Sequence, residues 1–201
     1  MIIIGLAGNI GSGKSTTAAY LRSLGYIVFD SENAAKSAVL DKGNPCLRKI
    51  AELFGPESIL PDGTLNRPWV ADIIFRDNTL MREFETIMQQ QVWNDLQRFM
   101  VTQKDRGTAV IFVDLPLMVE MGWHTVCNSI WLIATPDDIR LQRAIARDRN
   151  LGKELVMKRN NTQLSTRELR KYADVVIDNS GSFDNTILQI NEQLWKLKLQ
   201  M

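Results

Sequence analysis

A chain of 201 residues with 45% apolar and 23% charged residues has the make-up of one globular domain carrying inserted substructures. The formal net charge of +1 gives no overall field toward nucleic acid or a membrane surface, so we expect neither as a partner. The two cysteines, Cys46 and Cys127, stand far apart in no CxxC arrangement. This argues against a disulfide framework or a cysteine zinc site and favours a reducing compartment.

Short apolar runs are the clearest pattern along the chain, and they predict the strands of a parallel sheet buried on both faces. In chain order they are Ile2–Leu6, Tyr26–Phe29, Ala109–Val113, Ser129–Ala134 and Asp174–Ile177. Amphipathic helical patterns separate them, and this alternation is typical of an α/β fold with right-handed crossovers. The first run is too short for a signal sequence or a membrane span, so we expect a cytoplasmic protein.

Two long intervals between the predicted strands indicate insertions. The interval from Phe29 to Ala109 has helical patterns and a turn at Leu60–Thr64, and we interpret it as a mostly helical insertion at the ligand-binding edge of the sheet. The second interval begins at Pro136, is predicted helical and is rich in arginine and lysine. Its charges form either a solvated helix face or a lid whose arginines close over phosphates.

A glycine-rich motif follows the first predicted strand and precedes a helical pattern over Thr16–Leu24. It fits G-x-x-x-x-G-K-[ST] and reads Gly8-Asn9-Ile10-Gly11-Ser12-Gly13-Lys14-Ser15. Glycines let the backbone wrap an anion with its N–H groups pointing inward, and the helix N-terminus adds partial positive charge. We expect Lys14 to reach the β- and γ-phosphates and the Ser15 hydroxyl to ligate Mg²⁺. The motif therefore predicts binding of a nucleoside triphosphate together with Mg²⁺.

Two carboxylates stand at the ends of predicted strands, where the functional edge of the sheet is expected. Asp30 is either a general base that takes the proton of an attacking hydroxyl or the cap of a helix that starts near Asn33. Asp114 ends an apolar strand in the form of a Walker B element, which holds Mg²⁺ directly or through water.

Missing motifs narrow the class of phosphate-loop protein. The chain has neither the Asn-Lys-x-Asp element of a GTPase nor the Leu-Ser-Gly-Gly-Gln signature of a transport ATPase. A helical insertion after the second strand and an arginine-rich segment after the fourth favour a kinase for a small acceptor. The insertion would hold the acceptor, and the basic segment would cover the donor.

An ordered set of segments along nearly the whole chain resembles the dephospho-coenzyme A kinase family. The segments are Gly5–Thr16, Asp30–Glu32, Asp62–Arg67, Leu115–Glu120, Arg143 with Arg147-Asp148, Gln163 and Ala173–Ser182. The resemblance implies transfer of the ATP γ-phosphoryl group to the ribose 3′-hydroxyl of dephospho-coenzyme A, the last step of coenzyme A synthesis. It also implies a three-layer P-loop kinase fold with a five-stranded parallel sheet. The nucleotide-binding core would comprise residues 1–35 and 105–201, with a lid at about 140–170 and a helical acceptor domain at 36–104.

The same resemblance implies a role for particular residues. Asp30 falls where the family has its catalytic base. The expected catalytic residues are Asp30, Lys14, Arg143 and Arg147. Nucleotide contacts are expected from the loop residues, namely Gly8, Asn9, Ile10, Gly11, Ser12, Gly13, Lys14, Ser15 and Thr16, and from Asn179 and Gly181. Acceptor contacts are expected from Asp30, Glu32, Arg67, Leu117 and Glu120, and metal contacts from Ser15 and Asp114.

Two departures from the family pattern keep other interpretations open. The chain has Asp30-Ser31-Glu32 where members usually have Asp-x-Asp, and Gln89-Gln90 where they usually have His-Pro. The run Gly8–Gly11 also resembles deoxynucleoside kinases, but their Glu-Arg-Ser element is missing. The alternatives are another nucleoside or nucleotide kinase of this fold, or a nucleotide-binding regulator without catalysis. The sequence leaves the oligomeric state undetermined.

Overall fold

The computed structural model describes residues 1–147 and 152–199. Within them, five strands form one sheet in the order β2-β3-β1-β4-β5. The strands are β1 Ile2–Ala7, β2 Ile27–Asp30, β3 Val110–Asp114, β4 Ser129–Ala134 and β5 Val175–Asp178. The register of β1 with β3 and β4, and of β4 with β5, is parallel. All five predicted strands are confirmed, with ends displaced by at most one residue, and the fold is the expected three-layer α/β arrangement.

Helices account for most of the remaining described chain. They are α1 Lys14–Ser23, α2 Ser31–Ala38, α3 Pro45–Phe54, α4 Arg67–Arg76, α5 Asn78–Asp105, α6 Asp137–Arg147, α7 Gly152–Asn161, α8 Thr166–Leu169 and α9 Phe183–Leu199. The helix after the glycine loop begins at Lys14 instead of Thr16, because the loop closes directly into its first turn. Across the described ranges, every helix is too short or too polar to cross a membrane.

The chain divides into two compact units. The first, called the core unit, comprises Met1–Phe29 and the chain from Gly107 onward. Its sheet is packed by side chains that are almost wholly buried, including Leu6 and Ile177. The ring of Phe112 lies edge-on to that of Trp131, with 5.4 Å between centroids. Alternate residues of these strands point to opposite faces, so helices on both faces bury the continuous apolar runs seen in the sequence.

The second, called the helical unit, is Asp30–Arg106. Helices α2–α5 enclose an apolar cluster that includes Ile50, Leu65 and Val70. The predicted turn at Leu60–Thr64 is present and is closed by a bond from the Leu60 N–H to the Thr64 carbonyl at 2.8 Å. The expected helical insertion of residues 36–104 lies inside this unit.

Candidate phosphate-binding site

The glycine loop joins β1 to α1 and is tightly enclosed by two neighbouring segments of the core unit. Gly11 has φ of +77°, and a Cβ there would lie 1.9 Å from the Arg140 carbonyl oxygen. Gly13 has φ of +96°, and a Cβ there would lie 2.0 Å from Nδ2 of Asn179. Positive φ is costly for other residues, and the close approach leaves no room for a side chain. Both glycines are therefore required for the loop to fold against its supports.

Asn179 is the main support beneath the loop. Its Nδ2 donates to the Ser12 carbonyl at 2.7 Å, and its Oδ1 accepts from the Thr186 hydroxyl at 2.8 Å. Thr135 donates to the same Ser12 carbonyl at 3.0 Å. Asn179 is 6% exposed, so these bonds are shielded from water and rigidify the loop. The sequence predicted Asn179 as a nucleotide contact. In the structure its side-chain amide bonds the phosphate loop itself.

Lys14 of α1 and Asp114 of β3 form an ion pair. Lys14 is the first residue of α1, and Asp114 is the last residue of β3, level with Leu6 of β1. The two side chains are only 13% and 10% exposed. The sheet register thus brings together the predicted phosphate-binding lysine and the predicted magnesium-binding carboxylate.

These residues fit a nucleoside triphosphate with Mg²⁺. At Gly11 and Gly13 the loop approaches its supports so closely that only glycine is tolerated. A glycine-rich backbone of this kind can wrap a phosphate with its N–H groups. Ser15 is exposed in the first turn of α1, close in sequence to the Lys14–Asp114 pair. The described residues contain no group of three or more acidic, histidine or cysteine side chains placed to hold a metal ion. The hydroxyl of Ser15 and the carboxylate of Asp114 are oxygen ligands of the kind that Mg²⁺ takes, and substrate phosphates and water would complete its coordination.

Two arginines of α6 contact the loop and its support. The Arg143 Nη1 donates to the Asn179 carbonyl at 2.8 Å. Arg140 is 3% exposed, and its Nη1 donates to the Ile10 carbonyl at 3.4 Å and to Asn160 Oδ1 at 2.7 Å. Sequence reasoning counted Arg140 among the lid charges without a role. A signal was available, because Asp137 stands three residues before it and forms an ion pair with it at 2.8 Å.

The other predicted site residues of the core unit differ in exposure, backbone conformation and hydrogen bonding. Arg147 is exposed at the end of α6, and Gly181 is exposed after β5. Leu117 has φ of +55°, which is uncommon for a residue with a side chain and marks backbone strain in the loop after β3. The Glu120 Oε1 accepts from the Leu164 N–H at 2.8 Å. Residues 148–151 of the expected lid, including Asp148, lie outside the described residues.

The candidate acceptor residues of the helical unit lie at helix N-termini. Asp30 caps α2, and its two carboxylate oxygens accept from the backbone N–H and the Nδ2 of Asn33, both at 3.0 Å. The capping role is therefore confirmed, with the helix starting at Ser31, and the role as base remains a prediction. Glu32 pairs with Lys36 at the surface, at 2.7 Å. Arg67 is exposed at the start of α4.

The residues at the family's His-Pro position lie in the long helix α5. Gln89 is half-buried, and the Gln90 side chain donates to Asn94 Oδ1 at 3.1 Å. Glutamine is a good helix former, so α5 runs through this position without interruption from Asn78 to Asp105. The two glutamines thus keep the helix continuous where a proline would disturb it.

The parallel sheet, the glycine loop between β1 and α1, and the Lys14–Asp114 pair define an α/β protein of the P-loop class that binds nucleoside triphosphates. Residues 2–185 match the family model for dephospho-CoA kinase. The chain therefore belongs to the dephospho-CoA kinase family. Members of this family are ATP-dependent kinases that phosphorylate dephospho-CoA.

Individual relatives resemble the chain over almost its full length. The dephospho-CoA kinase of Carboxydothermus hydrogenoformans is 32% identical over 98% of this chain and 95% of its own. A solved structure from Thermus thermophilus is 34% identical, with a TM-score of 0.75 over 98% of this chain and 97% of that one. The Campylobacter jejuni dephospho-CoA kinase has a TM-score of 0.72 over 99% of this chain and 98% of that one. At 23% identity, this last likeness bears on the fold alone.

Proposed function

We propose that this chain transfers the γ-phosphoryl group of ATP to the 3′-hydroxyl of the ribose of dephospho-CoA, with the phosphate loop of the core unit as the donor site. The single observation that carries the proposal is the buried Lys14–Asp114 pair at the foot of that loop, in a chain of this family. Phosphoryl transfer depends mainly on positioning and on charge placed around the transferred group. A preformed loop with a half-buried, ion-paired lysine meets that requirement.

Each side chain of the donor site has a distinct task. The loop N–H groups bind and orient the phosphates, while Lys14 neutralises charge that develops on the transferred group. Ser15 and Asp114 would hold Mg²⁺, which bridges the phosphates and adds positive charge. We assign Arg143 and Arg147 of α6 to the donor phosphates as well, with residues 140–170 as the lid. Asn179 and Gly181 complete the nucleotide-binding segment after β5.

The acceptor contacts are assigned mainly to the helical unit, Asp30–Arg106, which contains the acceptor domain expected at residues 36–104, and in part to the loop after β3. Asp30 would accept the proton of the attacking 3′-hydroxyl while keeping its place at the N-terminus of α2. Glu32, Arg67, Leu117 and Glu120 are the proposed acceptor contacts. Of these, Arg67 supplies a guanidinium suited to a phosphate of the acceptor. The substrates are small molecules, and we place the reaction in the cytoplasm.

An acceptor panel tests the proposed function. Purified protein is incubated with ATP and Mg²⁺ and with dephospho-CoA, thymidine, deoxycytidine or a nucleoside monophosphate. We expect ADP release that depends on dephospho-CoA, and a product of the mass of coenzyme A. Phosphorylation of a nucleoside with none of dephospho-CoA would reject the assignment in favour of a nucleoside kinase. ATP binding without transfer to any acceptor would favour a regulator.

A further inference from the structure

One peptide of the phosphate loop is held on both sides by residues distant in sequence. The Ile10 N–H donates to Oε1 of Gln163 at 2.8 Å, and the Ile10 carbonyl accepts from Arg140. Both partners belong to the core unit, one in α6 and the other in the segment that follows α7. Such a loop binds anions through its backbone N–H groups, so a side chain that accepts from the Ile10 N–H fixes the orientation of one peptide of the binding loop.

The segment that carries Gln163 is itself anchored to the site. We call residues 163–166 the tether. The backbone of Leu164 donates to Glu120 Oε1 at 2.8 Å and accepts from Asn9 Nδ2 at 2.7 Å. Thr166 donates to Asn9 Oδ1 at 3.1 Å. Asn9 is 5% exposed, so both ends of its amide are engaged in a buried setting. The tether thus joins the phosphate loop to the loop after β3.

These anchoring bonds hold the tether independently of the Gln163 side chain. Three side chains, Asn9, Glu120 and Thr166, already fix the segment through bonds that do not involve the Ile10 peptide. The Gln163 bond differs from them because its partner is a backbone N–H of the phosphate loop. Its neutral carbonyl occupies that N–H without adding a negative charge beside the phosphates.

We propose that Gln163 is a positioning residue of the donor site: its side-chain carbonyl fixes the Ile10 peptide to the tether and so keeps the phosphate loop closed against that segment around the triphosphate. This inference rests on the proposed use of ATP as donor. Two consequences follow. Loss of the bond weakens ATP binding, because the loop has to be ordered by the ligand. Loss of the bond also admits water, whose oxygen then forms the new P–O bond while the bond to ADP breaks and a proton is released.

Two substitutions at Gln163 distinguish the effect of losing the hydrogen bond to the Ile10 N–H from the effect of adding a charge beside it. Gln163→Met keeps the length of the side chain and removes the acceptor. Gln163→Glu keeps an acceptor for the Ile10 N–H and adds a negative charge. The matched control is Ser23→Ala, because the exposed Ser23 hydroxyl at the end of α1 donates to the nearby Tyr20 carbonyl, at 2.7 Å. For each protein the ATP Kd, the kcat and KM of transfer, ATP hydrolysis without acceptor, and Tm are measured.

We expect Gln163→Met to raise the ATP Kd and KM by about 5- to 10-fold, the worth of one hydrogen bond, with kcat changed less than about 3-fold. Its ratio of hydrolysis to transfer should rise by a similar factor. Gln163→Glu should raise the ATP Kd but retain the wild-type hydrolysis ratio, and Ser23→Ala should match wild type. A Gln163→Met protein with a lower Tm but unchanged Kd and hydrolysis ratio would overturn the inference. The ATP Kd and the hydrolysis without acceptor need no dephospho-CoA, so they test Gln163 even if the wild type phosphorylates another acceptor.

Discussion

The core unit and the helical unit bury polar groups in different ways. In the described part of the core unit, buried polar residues converge on the phosphate loop, and the Asn179 amide bonds both the loop and α9. In the helical unit such residues bond locally, as Gln91 does with Asp95 one helical turn away, at 3.0 Å. Ser58 likewise donates to the Gly55 carbonyl three residues before it, at 2.6 Å.

This difference reflects what each unit has to bind. A phosphate loop works by preorganised dipoles, and it stays in place only if supports from several segments hold it. The helical unit is held by an apolar cluster around Ile50 and Val70, so its shape needs no polar network. Substitutions of buried polar residues should therefore damage ATP use in the first unit and only stability in the second.

The largest expected effect is that of Lys14→Ala in the core unit. Removing the charge that faces the transferred phosphoryl group should lower kcat by about 10²- to 10³-fold, as for the loss of one preorganised donor. The fold should persist, because the loop keeps its bonds to Asn179 and Thr135. Steady-state kinetics and Tm measure both effects. A variant with near-normal kcat would show that Lys14 does not contact the phosphates.

Asp30→Asn tests the one position where the helical unit is assigned a chemical step. Asparagine caps a helix about as well as aspartate, so Tm should change little. It cannot accept the proton of the 3′-hydroxyl, and kcat should fall by about 10²-fold, the low end for general-base assistance, because a loose transition state needs little activation of the nucleophile. The double variant with Glu32→Gln checks whether Glu32 substitutes as base. Wild-type kcat in Asp30→Asn would direct the search to Asp114.

The sequence predicted those parts of the molecule that depend on local pattern. Five buried strands follow from continuous apolar runs, the loop from its glycine spacing, and the cap at Asp30 from a carboxylate before a helical pattern. What it missed are contacts across long separations, such as Gln163 with Ile10 over 153 residues and Arg140 with Ile10 over 130 residues. A glutamine or an arginine in a polar segment has many possible partners, and only the packing of α6 and the tether selects one.

A pair of variants tests the difference between the two units directly. Asn179→Ala removes one of the two donors to the Ser12 carbonyl and an acceptor of the Thr186 hydroxyl, and the loss of these buried bonds costs about 1–3 kcal/mol. We expect the ATP KM to rise by about 10-fold together with a lower Tm. Gln91→Met in the helical unit should change Tm by less and leave the ATP KM unchanged. Equal effects of the two variants on the ATP KM would remove the distinction between the units.

The smallest expected effects concern an exposed carboxyl in each unit that accepts hydrogen bonds from a residue nearby in the sequence. In the helical unit, the side chain and backbone of Thr64 donate to Asp62 and lower the pKa of that carboxyl. In the core unit, the side chain and backbone of Ser165 do the same for Glu168. A lowered pKa in the folded state stabilises the fold above the unfolded pKa, and this contribution is lost as pH falls through the folded pKa.

Thr64→Val removes the larger cause of the lowered pKa at Asp62, namely the side-chain hydrogen bond, so the pKa of Asp62 should rise while that of Glu168 stays constant. Ser165→Ala should raise only the pKa of Glu168. Carboxyl NMR titration of the three proteins measures both groups, and because both carboxyls are fully exposed, each variant should make only a small change in the acid limb of the Tm profile. A variant that moves both pKa values together would mean that these two bonds are not independent.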